Sequence, residues 1–262
     1  MPPLLKRQSV PDFLSNIPAD RMPRHVAVIM DGNGRWATGH GLSRVDGHVA
    51  GAKVVPGLVK HAAGLRERHG GPDVITLYSF SLENRKRPPE EVGRLMNLHV
   101  QYLIEQRPLL VDNNVCFRHL GRLEDLPEQV AEELAVTLDL TRHNTGLTLN
   151  LALAYGGRGE IVDAVRRIAE AAAAGHLDPA SIDEETFEAH LYTAGQPDVD
   201  LLIRTAGEMR VSNYLLWQIS YAEMVVLPVL WPDFTTRHFD EALRAFTGRK
   251  RRFGALDPSA AR

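Results

Sequence analysis

In HVAVIMDGNGRWA, residues 25–37, an apolar run ends on Asp31 and is followed at once by Gly32, Asn33, Gly34 and Arg35. A glycine-rich turn after a strand offers backbone N–H groups to phosphate, yet a carboxylate repels phosphate. A magnesium ion between the two removes the conflict, because Mg2+ is held by one or two carboxylates plus substrate phosphates and keeps several waters. Asp31 therefore reads as a metal ligand, with the turn and Arg35 turned toward a phosphate. A tight turn with Asp31 as helix N-cap is the alternative that this stretch alone leaves open. Gly32, Gly34 and Ala37 also satisfy the dinucleotide pattern G-x-G-x-x-G/A. The next strand opens only near Val74, too far for a compact unit of roughly 30 residues. A nicotinamide-dependent oxidoreductase is thereby disfavoured, and a nucleotide thermal shift would revive it.

Three further clusters bring cations and hydroxyls to places where strands should end. RVDGH carries Arg44 and His48, SFSLENRKRPP carries Ser81, Asn84, Arg85 and Arg87, and IRTAGEMRVSNY carries Arg204, Arg210 and Ser212. The arginine fork matches phosphate bidentately. One such cluster is an ordinary solvated face; three of them beside an acid on a glycine turn suggest room for two diphosphates. The eleven histidines show no H-x3-H or H-E-x-x-H spacing, which argues against zinc. No nucleophile context stands out, so Ser81 and Ser212 read as phosphate donors.

The elements that must position these groups alternate. Strands are expected at HVAVIM, VITLYSF (Val74–Phe80), VCFRHL, LTLNLALAY, DVDLLIRT and AEMVVLPVL. Between them lie a helix carrying Val55, Leu58, Val59, Ala62 and Leu65, and one starting at RPPEEV that Pro108 should kink or end. Further helices are expected over about Pro127–His143, Glu160–Ala174 and Arg237–Lys250. The alternation predicts an α/β fold, a mostly parallel sheet covered by helices on both faces. Residues 1–24 read as a tail or arm, 25–254 as one catalytic domain and 255–262 as a tail. The net charge of −3 gives no electrostatic case for nucleic acid. A single cysteine, Cys116, excludes an internal disulfide and fits a reducing compartment. No apolar run reaches the roughly 18 residues of a membrane span. A soluble cytoplasmic protein is expected.

Taken together, HVAVIMDGNGRWA, RVDGH, LYSFSLENRKRPPEEV, NTGLTLNLALAYGGR, DVDLLIRTAGEMRVSNYLLWQISYAE, LWPDF and RRFG closely resemble the cis-prenyltransferase family, which includes undecaprenyl diphosphate synthase. They run in order over nearly the whole chain. The resemblance implies a six-stranded, mostly parallel sheet, a hydrophobic tunnel and a homodimer. It implies Mg2+-dependent condensation of isopentenyl diphosphate with an allylic diphosphate to a (Z)-polyprenyl diphosphate, as in carrier-lipid synthesis. Asp31 matches the essential metal-binding aspartate. Gly32, Asn33, Gly34, Arg35, Trp36, Arg44 and His48 match the allylic diphosphate side, and Asn84 a residue implicated in catalysis beside Phe80 and Ser81. Arg85 and Arg87 fall at the substrate site. Arg204, Arg210 and Ser212 match the isopentenyl diphosphate site, Glu223 an acid near the metal and the dimer-facing site, and Arg252 and Gly254 a C-terminal motif reaching a neighbouring subunit.

Arg85 stands where the family has tryptophan, and Met209 where it has histidine or glutamine. His99, Gln101 and Tyr102 make the expected tunnel helix more polar than a long apolar product prefers, although His99 also reads as a hydrogen-bonded core histidine. A short-chain or non-head-to-tail synthase of the same fold is the alternative. A non-catalytic partner subunit would be expected to lose Asp31 or Arg35, and both are present. The greasy product raises peripheral membrane contact as a further expectation.

Overall fold

The computed structural model of the chain describes Leu14 and residues 17–249. Its strands are β1 (His25–Ile29), β2 (Val74–Ser81), β3 (Cys116–Leu120), β4 (Thr148–Tyr155), β5 (Leu201–Arg204) and β6 (Glu223–Val226). They form one sheet in the order β3-β4-β2-β1-β5-β6, and every neighbouring pair is parallel, so the mostly parallel expectation resolves to a wholly parallel sheet. The longer helices are α1 (Asn33–Gly39), α2 (Arg44–Ala52), α3 (Val55–His69), α4 (Pro89–Asp112), α5 (Glu128–Thr141), α6 (Gly157–Ala173), α7 (Glu184–Glu188) and α8 (Thr236–Thr247).

Strand alternation explains why the runs are apolar throughout. Val26 and Val28 of β1 enter the larger core, while Ala27 and Ile29 enter the smaller one on the opposite face. Leu201 and Ile203 of β5 split from Leu202 in the same way. A period of two with both faces covered leaves no polar side. The chain leaves β1 toward β2 on one side and returns as β5 on the other. In open α/β sheets, ligands bind outside the carboxyl ends at such a switch point, and Asp31 lies two residues beyond the end of β1.

Helices α1 and α2 were not separated by periodicity, because they are short and two glycines interrupt the second. The glycines have a packing reason. A Cβ on Gly47 would lie 2.1 Å from the Asn33 carbonyl oxygen, and one on Gly51 would lie 2.1 Å from Asn33 Oδ1. Only glycine lets α2 lie against the Asp31 turn. Trp231 then locks that turn from the other side: its backbone N–H donates to the Asp31 carbonyl (3.0 Å) and its Nε1 to the Gly51 carbonyl (2.8 Å). Pro108 does not end α4, which continues to Asp112. Its missing N–H costs one hydrogen bond close to the C-terminus, and buried Leu110 anchors the last turn.

The sheet also holds a buried polar group with a pH consequence. His25 is fully buried; its Nδ1–H donates to the Pro197 carbonyl (2.8 Å) and its Nε2 accepts from the Thr76 hydroxyl (2.7 Å). Burial holds its pKa down to about 4, against the partial opposition of that backbone bond and of Asp200. Between pH ~6.5 and ~4 the unfolded chain takes up a proton here that the folded chain refuses, so stability falls as pH drops through that window. The expected slope is about 1 kcal/mol per pH unit from this group. Urea midpoints measured from pH 7.5 to 5 should show it, and His25→Gln should flatten it; an unchanged slope in the variant would contradict the assignment. Among the described residues, no helix is long and apolar enough to cross a membrane.

Candidate active site

Asp31 emerges from β1 with its backbone fixed. Its carbonyl accepts from the Thr205 hydroxyl (2.7 Å) as well as from Trp231. Gly32 follows at φ +105°, where a Cβ would press on Leu230, so the reversal that aims the carboxylate needs glycine. Asp31 Oδ1 accepts from the Gly32 N–H (2.6 Å) and faces Arg35 Nη2 (3.5 Å), while Oδ2 accepts from Arg204 Nη2 (2.8 Å) and faces Arg210 Nη2 at 3.9 Å. Burial pushes the Asp31 carboxyl up; the hydrogen bond and charge of Arg204, the Gly32 N–H and the charge of Arg35 outweigh it and hold the group below its ordinary range. The site keeps this carboxylate ionised.

Arg204 ends β5 and is only 3% exposed. Besides Asp31, it donates to the Ser212 hydroxyl (2.9 Å) and to the Arg210 carbonyl. Among the described residues its Nε is buried without a partner. The segment carrying Arg210 and Ser212 is bent by positive φ at Ala206, Gly207, Ser212 and Asn213, which folds it back over the end of β5.

The second cluster is built by α2 and α4. Ser43 and Asp46 form a capping box that starts α2 and sets Arg44 at its first position, with its guanidinium over Gly34. Arg87 Nη1 donates weakly to His48 Nε2 (3.4 Å). Burial, then the charges of Arg87, His99 and Arg44, hold the His48 pKa down to about 4, so His48 is a neutral acceptor and donor here. Glu91, absent from the sequence reading, joins the two arginines: its Oε1 lies 3.2 Å from Arg87 Nη1 and 3.7 Å from Arg44 Nε. The i,i+4 spacing of Arg87 and Glu91 was the signal available. Glu91→Gln should leave both arginines without their shared anchor and weaken binding of inorganic diphosphate about tenfold. Unchanged diphosphate binding by titration calorimetry would deny Glu91 this positioning role.

Both clusters open on one cavity of ≈ 430 Å³. It is lined by Asp31, Gly32, Asn33, Gly34, Arg44 and His48 together with Ser81, Asn84, Arg87, Arg204, Arg210 and Ser212. It continues past Phe80 to an apolar end at Leu109, Leu110, Phe117 and Leu149. Ser81 and Asn84 hold each other in a capping box at the turn after β2. Four expected residues among the described ones do not line the cavity: Arg35, Trp36, Arg85 and Glu223. Trp36 donates to Asp233 (2.9 Å) and stacks on His40. Arg85 pairs with Asp125. Glu223 begins β6, three residues before the partner of Arg204, so it lies roughly 10 Å back along the strand, at the opposite sheet edge from Asp31; it pairs with Arg249 (2.6 Å). Arg35 meets Asp31, the Ala206 carbonyl and Glu208. Gln101 points outward to Glu105. Arg252 and Gly254 lie outside the described residues.

For a cation, the donor set is one ionised carboxylate. Among the described residues no group of three or more His, Cys, Asp or Glu side chains could hold a metal. One carboxylate beside arginines able to hold a phosphate would fit Mg2+, which takes its other oxygens from phosphate and water; it does not fit a metal caged by protein alone.

The family model described as "Putative undecaprenyl diphosphate synthase" matches residues 29–254. The ditrans,polycis-undecaprenyl-diphosphate synthase ((2E,6E)-farnesyl-diphosphate specific) of Salmonella paratyphi A is 48% identical over 243 residues, covering 93% of this chain and 94% of its own. The Micrococcus luteus enzyme of the same name is 42% identical over 254 residues, covering 97% and 99%. The lavandulyl diphosphate synthase of Lavandula x intermedia, solved with dimethylallyl diphosphate, superposes with a TM-score of 0.86 at 36% identity, over 90% of this chain and 99% of that one.

Proposed function

The chain belongs to the undecaprenyl diphosphate synthase family of prenyl transferases, and we propose that it condenses isopentenyl diphosphate with an allylic diphosphate to give a (Z)-polyprenyl diphosphate of the carrier-lipid type. The observation that carries this reading is the position of Arg204. One buried guanidinium holds Asp31 on one side and Ser212 on the other, so the metal-type carboxylate and a second anion cluster share a residue.

In this reading Gly32, Gly34, Arg44, His48 and Arg87 bind the allylic diphosphate, and Arg204, Arg210 and Ser212 bind isopentenyl diphosphate. Asn84, held by Ser81, stands between them. The allylic C–O bond breaks and releases diphosphate, the isopentenyl alkene forms the new C–C bond, and the proton lost from the isopentenyl unit passes to the released diphosphate. Charge grows on the departing diphosphate, and fixed cationic donors stabilise it most in the transition state. Asp31 is the residue that would hold Mg2+, and the ion would supply further charge neutralisation to the leaving group. Fixing both substrates removes much of the entropic cost, and the apolar cavity keeps water from the allylic carbon. A homodimer belongs to the same proposal; light scattering would test it. A cytoplasmic enzyme that touches a membrane surface when it releases product is the corresponding location.

Diphosphate release should require both substrates and divalent metal, and should stop in EDTA. Release from either substrate alone, at the same rate, would overturn the proposal. A second reading, a short-chain or irregular synthase, is favoured by the 0.86 TM-score to lavandulyl diphosphate synthase. The departures at Arg85 and Met209 give it no support, since neither side chain lines the cavity.

A further inference from the structure

Asn213 does not line the cavity, yet it is tied to two elements beside it. It follows Ser212, and the two residues are held at positive φ, +50° for Ser212 and +59° for Asn213, a conformation that asparagine tolerates better than most side chains. Its Nδ2 donates to Glu83 Oε1 (2.7 Å), its Oδ1 accepts from the Arg158 N–H (2.9 Å) and its carbonyl accepts from the Gly157 N–H (2.7 Å). Helix α6 begins at Gly157 behind Gly156, which has no side chain to cap it. Two of the free N–H groups of its first turn are therefore satisfied by Asn213, from a distant part of the chain. On the other side of the same segment, the Tyr78 hydroxyl donates to the Ser212 carbonyl (3.2 Å), and Tyr78 stacks on buried Tyr214 at 4.3 Å between centroids.

The consequence is a fixed spacing across the site. Glu83 lies in the turn that carries Ser81 and Asn84, and Ser212 ends the arm that carries Arg210. Ser81, Asn84, Arg210 and Ser212 all line the cavity, and the Glu83–Asn213 bond joins the turn to the arm. We infer that Asn213 is a positioning residue for the condensation, a strut that holds the isopentenyl diphosphate arm at one distance from the Asn84 turn. It acts through Ser212 on one side and through Glu83 on the other. A misplacement of about 1 Å between reacting groups costs on the order of 10²-fold in rate, even when its source lies away from the chemistry. This inference rests on the two-substrate reading above.

The test is steady-state kinetics with each substrate varied in turn, beside thermal melts, for the wild-type protein, Asn213→Gly, Asn213→Asp, Glu83→Gln and the double variant Asn213→Asp, Glu83→Gln. Glycine keeps the left-handed backbone and removes both side-chain bonds. In Asn213→Gly, kcat/KM for isopentenyl diphosphate should fall about 10- to 100-fold, while the KM for farnesyl diphosphate changes little. Asn213→Asp keeps the acceptor for the Arg158 N–H but faces Glu83 with a second carboxylate, and should lose as much. In the double variant donor and acceptor exchange sides, because the glutamine amide donates to the aspartate carboxylate, and most of the lost kcat/KM should return. Glu83→Gln alone completes the double-mutant cycle. A residue that served stability alone would lower the melting temperature and leave kcat/KM of the folded protein in place. That result, or a loss in Asn213→Asp that the second substitution does not restore, would overturn the inference. If Asn213→Gly does not fold, an unchanged kcat/KM in Asn213→Asp overturns it by itself. A wild type that does not join the two substrates would instead remove the two-substrate reading, and this inference with it.

Discussion

Asp31→Asn should lower kcat by at least the about 10²- to 10³-fold that a single transition-state contact is worth, with only modest loss of allylic affinity. The substitution keeps the shape and the acceptor for the Gly32 N–H but removes the charge. Among the described residues Asp31 is the carboxylate that lines the cavity, and its surroundings keep it ionised. The loss falls mainly on kcat because neutralisation matters most as the C–O bond breaks. The neighbouring arginines keep ground-state binding. Steady-state kinetics at saturating allylic substrate make the measurement, and an unchanged turnover would break the metal assignment.

Arg204→Lys should raise the KM for isopentenyl diphosphate by about 10- to 100-fold, that is, roughly 1.4–2.8 kcal/mol. Lysine keeps the charge but cannot reach Asp31, Ser212 and an anion from one planar fork. The same change should cost stability. Arg204 is nearly fully buried, and breaking a buried pair costs about 3 kcal/mol or more, so the melting temperature should fall by roughly 6–12 °C. Kinetics with each substrate varied in turn, beside a thermal melt, separate the two effects. If only allylic binding suffers, the two diphosphate sites are interchanged.

How much of this was readable depends on the kind of signal. The strand-ending Asp31 and the clusters at Arg44, Ser81 and Arg204 were visible, because parallel strands bring their carboxyl ends together and chemistry collects there. Glu91 was missed because an acid on a charged helix start reads as ordinary capping until Arg44 and Arg87 are seen converging on it. Within this chain Glu223 lies back along β6 from the strand ends that carry Asp31 and Arg204, because strand register decides that place and register is not written in a four-residue strand. Gln101 and Tyr102 are adjacent in sequence, but only Tyr102 lines the cavity, since neighbouring helical positions point to different faces.

The account rests most heavily on condensation at the Asp31–Arg204 site. The most direct measurement incubates the protein with isopentenyl diphosphate and, separately, dimethylallyl, geranyl or farnesyl diphosphate, with Mg2+ or EDTA, and sizes the products by mass spectrometry. A ladder in five-carbon steps that appears with Mg2+ and vanishes in EDTA is the expected result. No elongation from any primer, or products built from allylic diphosphate alone, would contradict it.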